Sequence, residues 1–132
     1  MTTLTPQDTT ALRALLETRQ ETLRDEVQAV QAERSAAPTT IRGEVGDEAE
    51  VGEQRTRDAV RSAEELRDTA ELRDIDLALR RIEDGRYGTC IDCGIDIPLE
   101  RLQVQPTAER CIDCQSRHER RHPAEVRAAP MH

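Results

Sequence analysis

Cysteine is the residue type in this chain best placed to do chemistry, and its four copies stand in two pairs with the same spacer. Cys90-Ile91-Asp92-Cys93 and Cys111-Ile112-Asp113-Cys114 each read C-x2-C, with 17 residues between Cys93 and Cys111. A C-x2-C turn sets two thiolates on one side of a metal ion. Two such turns joined by a loop of this length complete a tetrahedral shell. Four sulfurs leave no open position for a catalytic water, so the pattern predicts one structural ion held by Cys90, Cys93, Cys111 and Cys114, and no reaction. Zinc is the expected ion; iron shares the tetrahedral thiolate geometry and stays open on spacing alone.

Other uses of the thiols fit less well. Met1-Thr2-Thr3-Leu4-Thr5 has neither a basic n-region nor an apolar h-region, so a secretory route is not expected. A cytoplasmic chain keeps its thiols reduced, which argues against disulfides. A redox C-x-x-C would sit on a thioredoxin-like βαβ frame, and no strand pattern here supplies one. Gly94, directly after Cys93, suits a knuckle whose backbone turns back on the sulfur. The nearby apolar residues Tyr87, Ile91, Ile95, Ile97, Leu99, Leu102 and Val104 are too few for a small module to fold unaided. Metal binding, worth about 10–16 kcal/mol in comparable peptides, would be coupled to its folding.

The elements that must position this site are helices. There is no Trp, no Phe and a single Tyr, while charged residues make up 35% of the chain. Few aromatics alongside many Ala, Leu, Glu and Arg point to long helices packed in pairs. No apolar run is long enough to span a membrane. Residues 1–85 hold 12 Arg against 20 Asp and Glu, whereas residues 86–132 hold seven of each sign. All the excess negative charge thus lies outside the cysteine module. Nucleic-acid backbones demand clustered positive charge, so direct DNA binding is not expected. A basic protein cavity or a bound divalent cation suits an acidic arm better.

Thr5-Pro6-Gln7-Asp8 reads as a helix start, with Thr5 as N-cap, Pro6 at the first helical position and Asp8 completing a capping box. Leu12, Leu16, Leu23, Val27 and Val30 follow in steps of three, four and seven, and the pattern fades at Ser35-Ala36-Ala37-Pro38. A second helix is expected from about Glu53 to Asp84, stopping before Gly85. Its seam reads Ala59, Ala63, Leu66, Ala70, then Leu72, Ile75, Leu79, Ile82, with a slip in register after Ala70. Stripes so thin cannot hold either helix alone, and an antiparallel hairpin is the economical solution. Pairing between two subunits is the alternative that the seam leaves open. Gly43 to Glu53 contains five acids, three glycines and no base; it reads either as a solvated turn or as carboxylates held at the end of a rod.

The fold class is therefore mainly α. A long antiparallel coiled-coil hairpin carries a small four-cysteine module and a short terminal helix. Residues 1–85 form the hairpin, with an acidic tip at about 43–53. Residues 86–122 form the zinc finger and terminal helix, and 123–132 a frayed tail. His118 and His122 stand i, i+4 after the last cysteine, and two exposed histidines on a short terminal helix account for them. With no phosphate loop and no nucleophile–base set, no enzyme is expected.

The run Ile82-Glu83-Asp84-Gly85-Arg86-Tyr87-Gly88-Thr89-Cys90-Ile91-Asp92-Cys93-Gly94 continues as Ile95-Asp96-Ile97-Pro98-Leu99-Glu100-Arg101-Leu102. Pro106-Thr107-Ala108-Glu109-Arg110-Cys111-Ile112-Asp113-Cys114-Gln115 follows. These stretches resemble the DksA/TraR family of zinc-finger transcription regulators. The resemblance implies a cytoplasmic, monomeric regulator that binds RNA polymerase without contacting DNA or membrane. Its coiled coil would enter the polymerase secondary channel and carry acidic residues toward the catalytic region. The family tip motif is Asp-x-x-Asp-x-Ala, and Asp47-Glu48-Ala49-Glu50-Val51-Gly52 falls at that position. Asp47 matches, Glu50 keeps the charge with one more methylene, and Gly52 replaces the alanine. Arg67 falls where the family carries an arginine used for polymerase contact. Members that respond to the alarmone ppGpp present basic side chains where this chain has Asp74, Gln105 and Gln115, so a weak or absent response is expected. The alternative function is a zinc-ribbon adaptor whose coil binds a protein other than polymerase.

Overall fold

The structure is a computed structural model that describes residues 4–36 and 48–123, with side chains in the second stretch described from Val51 onward. Four helices follow in chain order: α1 (Pro6–Ala36), α2 (Glu48–Glu83), α3 (Leu99–Val104) and α4 (Ile112–Arg121). Among the described residues β pairing is limited to a single antiparallel bridge, Thr89 with Asp96.

The start of α1 is the capping box that its residues predict. The Asp8 amide donates to Thr5 Oγ1 at 3.0 Å, and the Thr5 amide donates to Asp8 Oδ2 at 3.1 Å. Two otherwise orphaned N–H groups are thereby satisfied. The end of α2 is equally local in origin. Gly85 adopts φ +74°, its amide donates to the Ile82 carbonyl at 3.2 Å, and the Arg86 amide donates to the Arg81 carbonyl at 2.8 Å. This is a Schellman stop, and a Cβ at Gly85 would oppose the left-handed conformation it requires.

α1 and α2 lie side by side as an antiparallel hairpin within one chain. As the α1 partner moves from Arg19 to Arg34, the α2 partner falls from Glu71 to Glu65, and Glu33 pairs with Arg61. The lower half is closed by apolar contact: Leu16, Leu23, Ile75 and Ala78 are buried, with Leu72, Leu79, Ile82 and Tyr87 packed against them. Leu12, Leu16 and Leu23 are fully buried and Val27 and Val30 half-buried, in agreement with the α1 seam.

Two expectations for α2 need correction. The helix begins at Glu48 rather than near Glu53, so the second part of the acidic stretch 43–53 is helix and not turn. Acidic side chains at a helix N-terminus are favoured by the dipole, and one interior Gly52 costs only about 1 kcal/mol. The upper seam is also not a core: Ala59 and Ala63 are exposed, Leu66 is 73% exposed and Ala70 half-buried. The facing end of α1 offers no large apolar side chain beyond Val30. There the Glu33–Arg61 and Arg34–Glu65 pairs, at 3.0 and 2.7 Å, bridge the helices instead.

The finger's core is not made from its own residues alone. Cys90, Ile97, Leu102, Ala108, Cys111 and Cys114 bury against Leu12 of α1, with Leu4, Tyr87 and Leu99 alongside. Gly88 has φ +88°, and a Cβ there would meet Leu4 Cδ1 at 2.7 Å. By contrast Ile91, Ile95 and Val104, three of the apolar residues near the cysteines, are 50%, 55% and 71% exposed. The finger compensates by borrowing leucines from the start of the chain.

The lower stalk also holds a charge in an unfavourable place. Desolvation, reinforced by the charge of Glu26 across the hairpin, raises the Asp68 carboxyl above its ordinary range, and Arg19 offsets this only in part. A carboxyl raised in the folded state binds its proton more tightly there, so its effect favours folding in acid and is lost as pH rises. Asp68→Asn is expected to raise the melting temperature at pH 7 by about 1–3 °C, as a fraction of a kcal/mol would. The gain should shrink as pH falls and the wild-type carboxyl takes up its proton, and melting curves at pH 7 and in acid check it.

Candidate metal centre

The two C-x2-C pairs sit on different local scaffolds. Cys90 to Gly94 is a tight turn: the Gly94 amide donates to the Cys90 carbonyl at 3.0 Å, and the Cys90 amide to the Ile95 carbonyl at 2.8 Å. Gly94 has φ +81°, the conformation expected of a knuckle glycine. The Ile97 amide then donates to the Gly88 carbonyl at 2.8 Å and closes the loop. Cys111 is instead the N-cap of α4, its sulfur accepting from the Cys114 amide at 3.5 Å. The Ile91 amide, donating to the Glu109 carbonyl at 2.9 Å, ties one knuckle to the other.

All four sulfurs lie within 4.8 Å of one another. Zinc–sulfur bonds of about 2.3 Å in a tetrahedron require sulfurs about 3.8 Å apart, and Cys93 Sγ to Cys111 Sγ is 3.8 Å. Three of the cysteines are buried and Cys93 is exposed. Burial would raise the Cys90 thiol, but amides of Cys93, Cys111 and Asp92 directed at its sulfur outweigh this and lower it to about 6. Burial and the neighbouring Cys111 push Cys114 up to about 12, against Arg117, whose guanidinium donates to its sulfur at 3.2 Å. Four sulfurs converging on one small space form a donor set that a dication satisfies. The residues present fit one structural zinc, which would supply a cross-link between the knuckles and no chemistry.

Among the described residues these cysteines are the one group of three or more His, Cys, Asp or Glu side chains arranged to hold a metal. His118, half-buried on α4 rather than exposed, and His122, the C-cap of α4, have ring centroids 4.5 Å apart and lie outside that group. Arg67 is exposed on α2. Asp47 lies outside the described residues; Glu50 falls in the first turns of α2, its side chain outside them. The structure does bring together three positions that the sequence leaves scattered. Asp74, Gln105 and Gln115 all line one groove of about 440 Å³ between the base of α2 and the finger, with Leu15, Leu77 and Val104 on its walls. Desolvation and the charge of Glu109 raise the Asp74 carboxyl.

Sequence reasoning missed the polar joint beneath this groove. Arg81, buried at the base of α2, pairs with Glu109 at 3.2 Å, and Arg110 pairs with both Glu109 and Asp92 at 3.0 and 2.8 Å. Tyr87 donates its hydroxyl to the Pro106 carbonyl at 2.8 Å, and burial pushes its ionisation up to about 12. The partners are 28 and 19 residues apart, beyond the reach of any local pattern.

A helical hairpin closed at its base by a four-cysteine finger defines a recognisable class of protein. Residues 85–120 match the family described as prokaryotic dksA/traR C4-type zinc finger. Over 47 residues the chain is 55% identical to the RNA polymerase-binding transcription factor DksA of Caulobacter vibrioides, covering 36% of this chain and 33% of that protein. Over 42 residues it is 43% identical to DksA of Escherichia coli K12, covering 32% and 28%. The matched stretch thus spans about a third of the curated relatives' length. The structure of transcription factor DksA2 from Pseudomonas aeruginosa aligns with a TM-score of 0.69 and 28% identity, over 89% of this chain and 88% of that one. The chain carries the DksA/TraR zinc finger on a DksA-like fold, and these likenesses support a zinc-finger protein of the DksA/TraR family.

Purified protein is expected to carry one zinc per chain, measured by elemental analysis. Cys114→Ser should lose most of it, because a three-sulfur shell leaves the ion open. Chelation should expose residues 86–122 to protease before the upper stalk. Helicity should also fall in part, since Leu12 of α1 loses its finger contacts.

Proposed function

We propose that this chain is a non-enzymatic, cytoplasmic transcription factor that binds RNA polymerase as a monomer through its hairpin. The observation that carries this reading is the match to DksA2 along almost the whole of both chains. The curated relatives named as polymerase-binding are more similar over shorter stretches, 55% identical over 47 residues and 43% over 42. The division of labour is that of the sequence: residues 1–85 are the inserting hairpin, 86–122 the finger that seats it, and 123–132 a tail.

The finer reading is insertion of the hairpin into the polymerase secondary channel. α2 alone is 36 residues, about 54 Å at 1.5 Å per residue, so the rod has the reach. Asp47 and Glu50 would act at the tip, on Mg2+ or on basic elements close to it. Arg67, exposed on the flank of α2, would contact polymerase directly. The negative charge lies on the part that inserts, and no contact with DNA is required. Response to ppGpp is weak or absent, because the groove holding Gln105 and Gln115 has a carboxylate, Asp74, on its wall, and its arginines Arg19, Arg81 and Arg110 are already paired with carboxylates. A polyphosphate would be repelled by Asp74.

Affinity capture with tagged protein is expected to recover polymerase subunits; their absence would favour a non-polymerase partner. In transcription on a ribosomal promoter, Asp47→Asn should leave polymerase binding within about twofold, as most interface positions outside the hot spots do, and remove the effect on open-complex lifetime. ppGpp should add little to the wild-type effect. The combination Asp74→Lys, Gln105→Arg and Gln115→Arg should gain a ppGpp response, read on the same promoter.

A further inference from the structure

Four charged side chains stand in line from the base of the stalk to the first knuckle. Arg81 is the buried charged residue of the described chain, 9% exposed. Its guanidinium donates to Glu109 Oε2 at 3.2 Å, Arg110 donates to Glu109 Oε1 at 3.0 Å, and Arg110 Nε donates to Asp92 Oδ2 at 2.8 Å. At the stalk end, the Arg81 carbonyl accepts the amides of Arg86 and Tyr87, so the residue is fixed by the turn that ends α2. At the other end, Asp92 lies between Cys90 and Cys93, and Glu109 and Arg110 run directly into Cys111. The Glu109 carbonyl, moreover, accepts the Ile91 amide. The line therefore starts on the helical rod and ends on both halves of the metal shell.

A buried guanidinium without its carboxylate is strongly unfavourable, so this joint has one low-energy geometry. The rod magnifies any looseness in it: over about 54 Å of helix, a tilt of about a tenth of a radian moves the far end by about 5 Å. We propose that Arg81 and Glu109 are positioning residues, and that the Arg81–Glu109–Arg110–Asp92 line sets the stalk's angle on the finger and couples that angle to metal occupancy. Coupling of this kind is reciprocal: whatever metal binding does to the joint, the joint does to metal binding. The inference goes beyond the polymerase reading and stands or falls without it.

The test uses the full zinc-loaded chain with probes attached through unnatural amino acids at Ser62 and Gln103, both exposed, so that no thiol is consumed. The wild-type inter-probe distance distribution should be narrow and should broaden on chelation. Arg81→Gln should broaden it with zinc still bound, and should speed zinc release to a chromogenic chelator by about tenfold, the scale of a lost outer-shell partner. Asp92→Asn, on the far side of the finger, should broaden the same stalk distance. Arg80→Gln, whose partner Asp76 is on its own helix, should match wild type in both readouts. Wild-type zinc release in a folded Arg81→Gln, or narrow distances in both Arg81→Gln and Asp92→Asn, overturns the proposal. Should Arg81→Gln fail to fold, the stalk distance in Asp92→Asn decides.

Discussion

Four sulfur atoms confined within 4.8 Å cannot all be ionised side by side, nor can buried thiolates be left without compensation. A dication at their centre removes both difficulties at once. Much of the remaining structure follows from that demand. Cys111 caps α4, the Cys90 turn needs Gly94 in a left-handed conformation, and the sulfurs form the floor on which Ile97, Leu102 and Leu12 pack. The finger has too little apolar surface to hold this arrangement by burial alone. It therefore draws on the metal and on the first helix.

The stalk obeys a different balance. Near the finger, Leu16, Leu23, Ile75 and Ala78 exclude water, and the hairpin is held by ordinary packing. Higher up, Leu66 and Val60 face solvent at 73% and 51% exposure, and exposed ion pairs bridge the helices. Such pairs contribute at most about 1 kcal/mol each. The hairpin is thus firm at its base and lightly fastened toward its end. The base is also where Arg81, Tyr87 and the Schellman turn at Gly85 join it to the metal module.

The partner-facing features divide in a parallel way. Negative charge collects in the hairpin half of the chain, whereas the finger half is neutral. In the proposed complex this separates the part that reaches inward from the part that seats against the rim. The groove between them, with Asp74, Gln105 and Gln115 on its walls, lies where both halves meet. Four arginines and four carboxylates line it, and Arg19, Arg81 and Arg110 are already paired with carboxylates.

What local chemistry governs could be read from the residues in order. The capping box at Thr5 and Asp8, the stop at Gly85, the α1 seam and the metal shell each depend on residues a few positions apart or on a spacing that one ion reads. The start of α2 and the fate of Ala59, Ala63 and Leu66 were not legible in the same way, because burial depends on what the facing helix presents. Leu4 and Leu12 entering the finger core, the Arg81–Glu109–Arg110–Asp92 line and the gathering of Asp74 with Gln105 and Gln115 belong wholly to the folded chain. These contacts join residues far apart in number, and no periodicity encodes them. They exist once the hairpin has folded back and the metal shell has fixed which surface of the finger the stalk must meet.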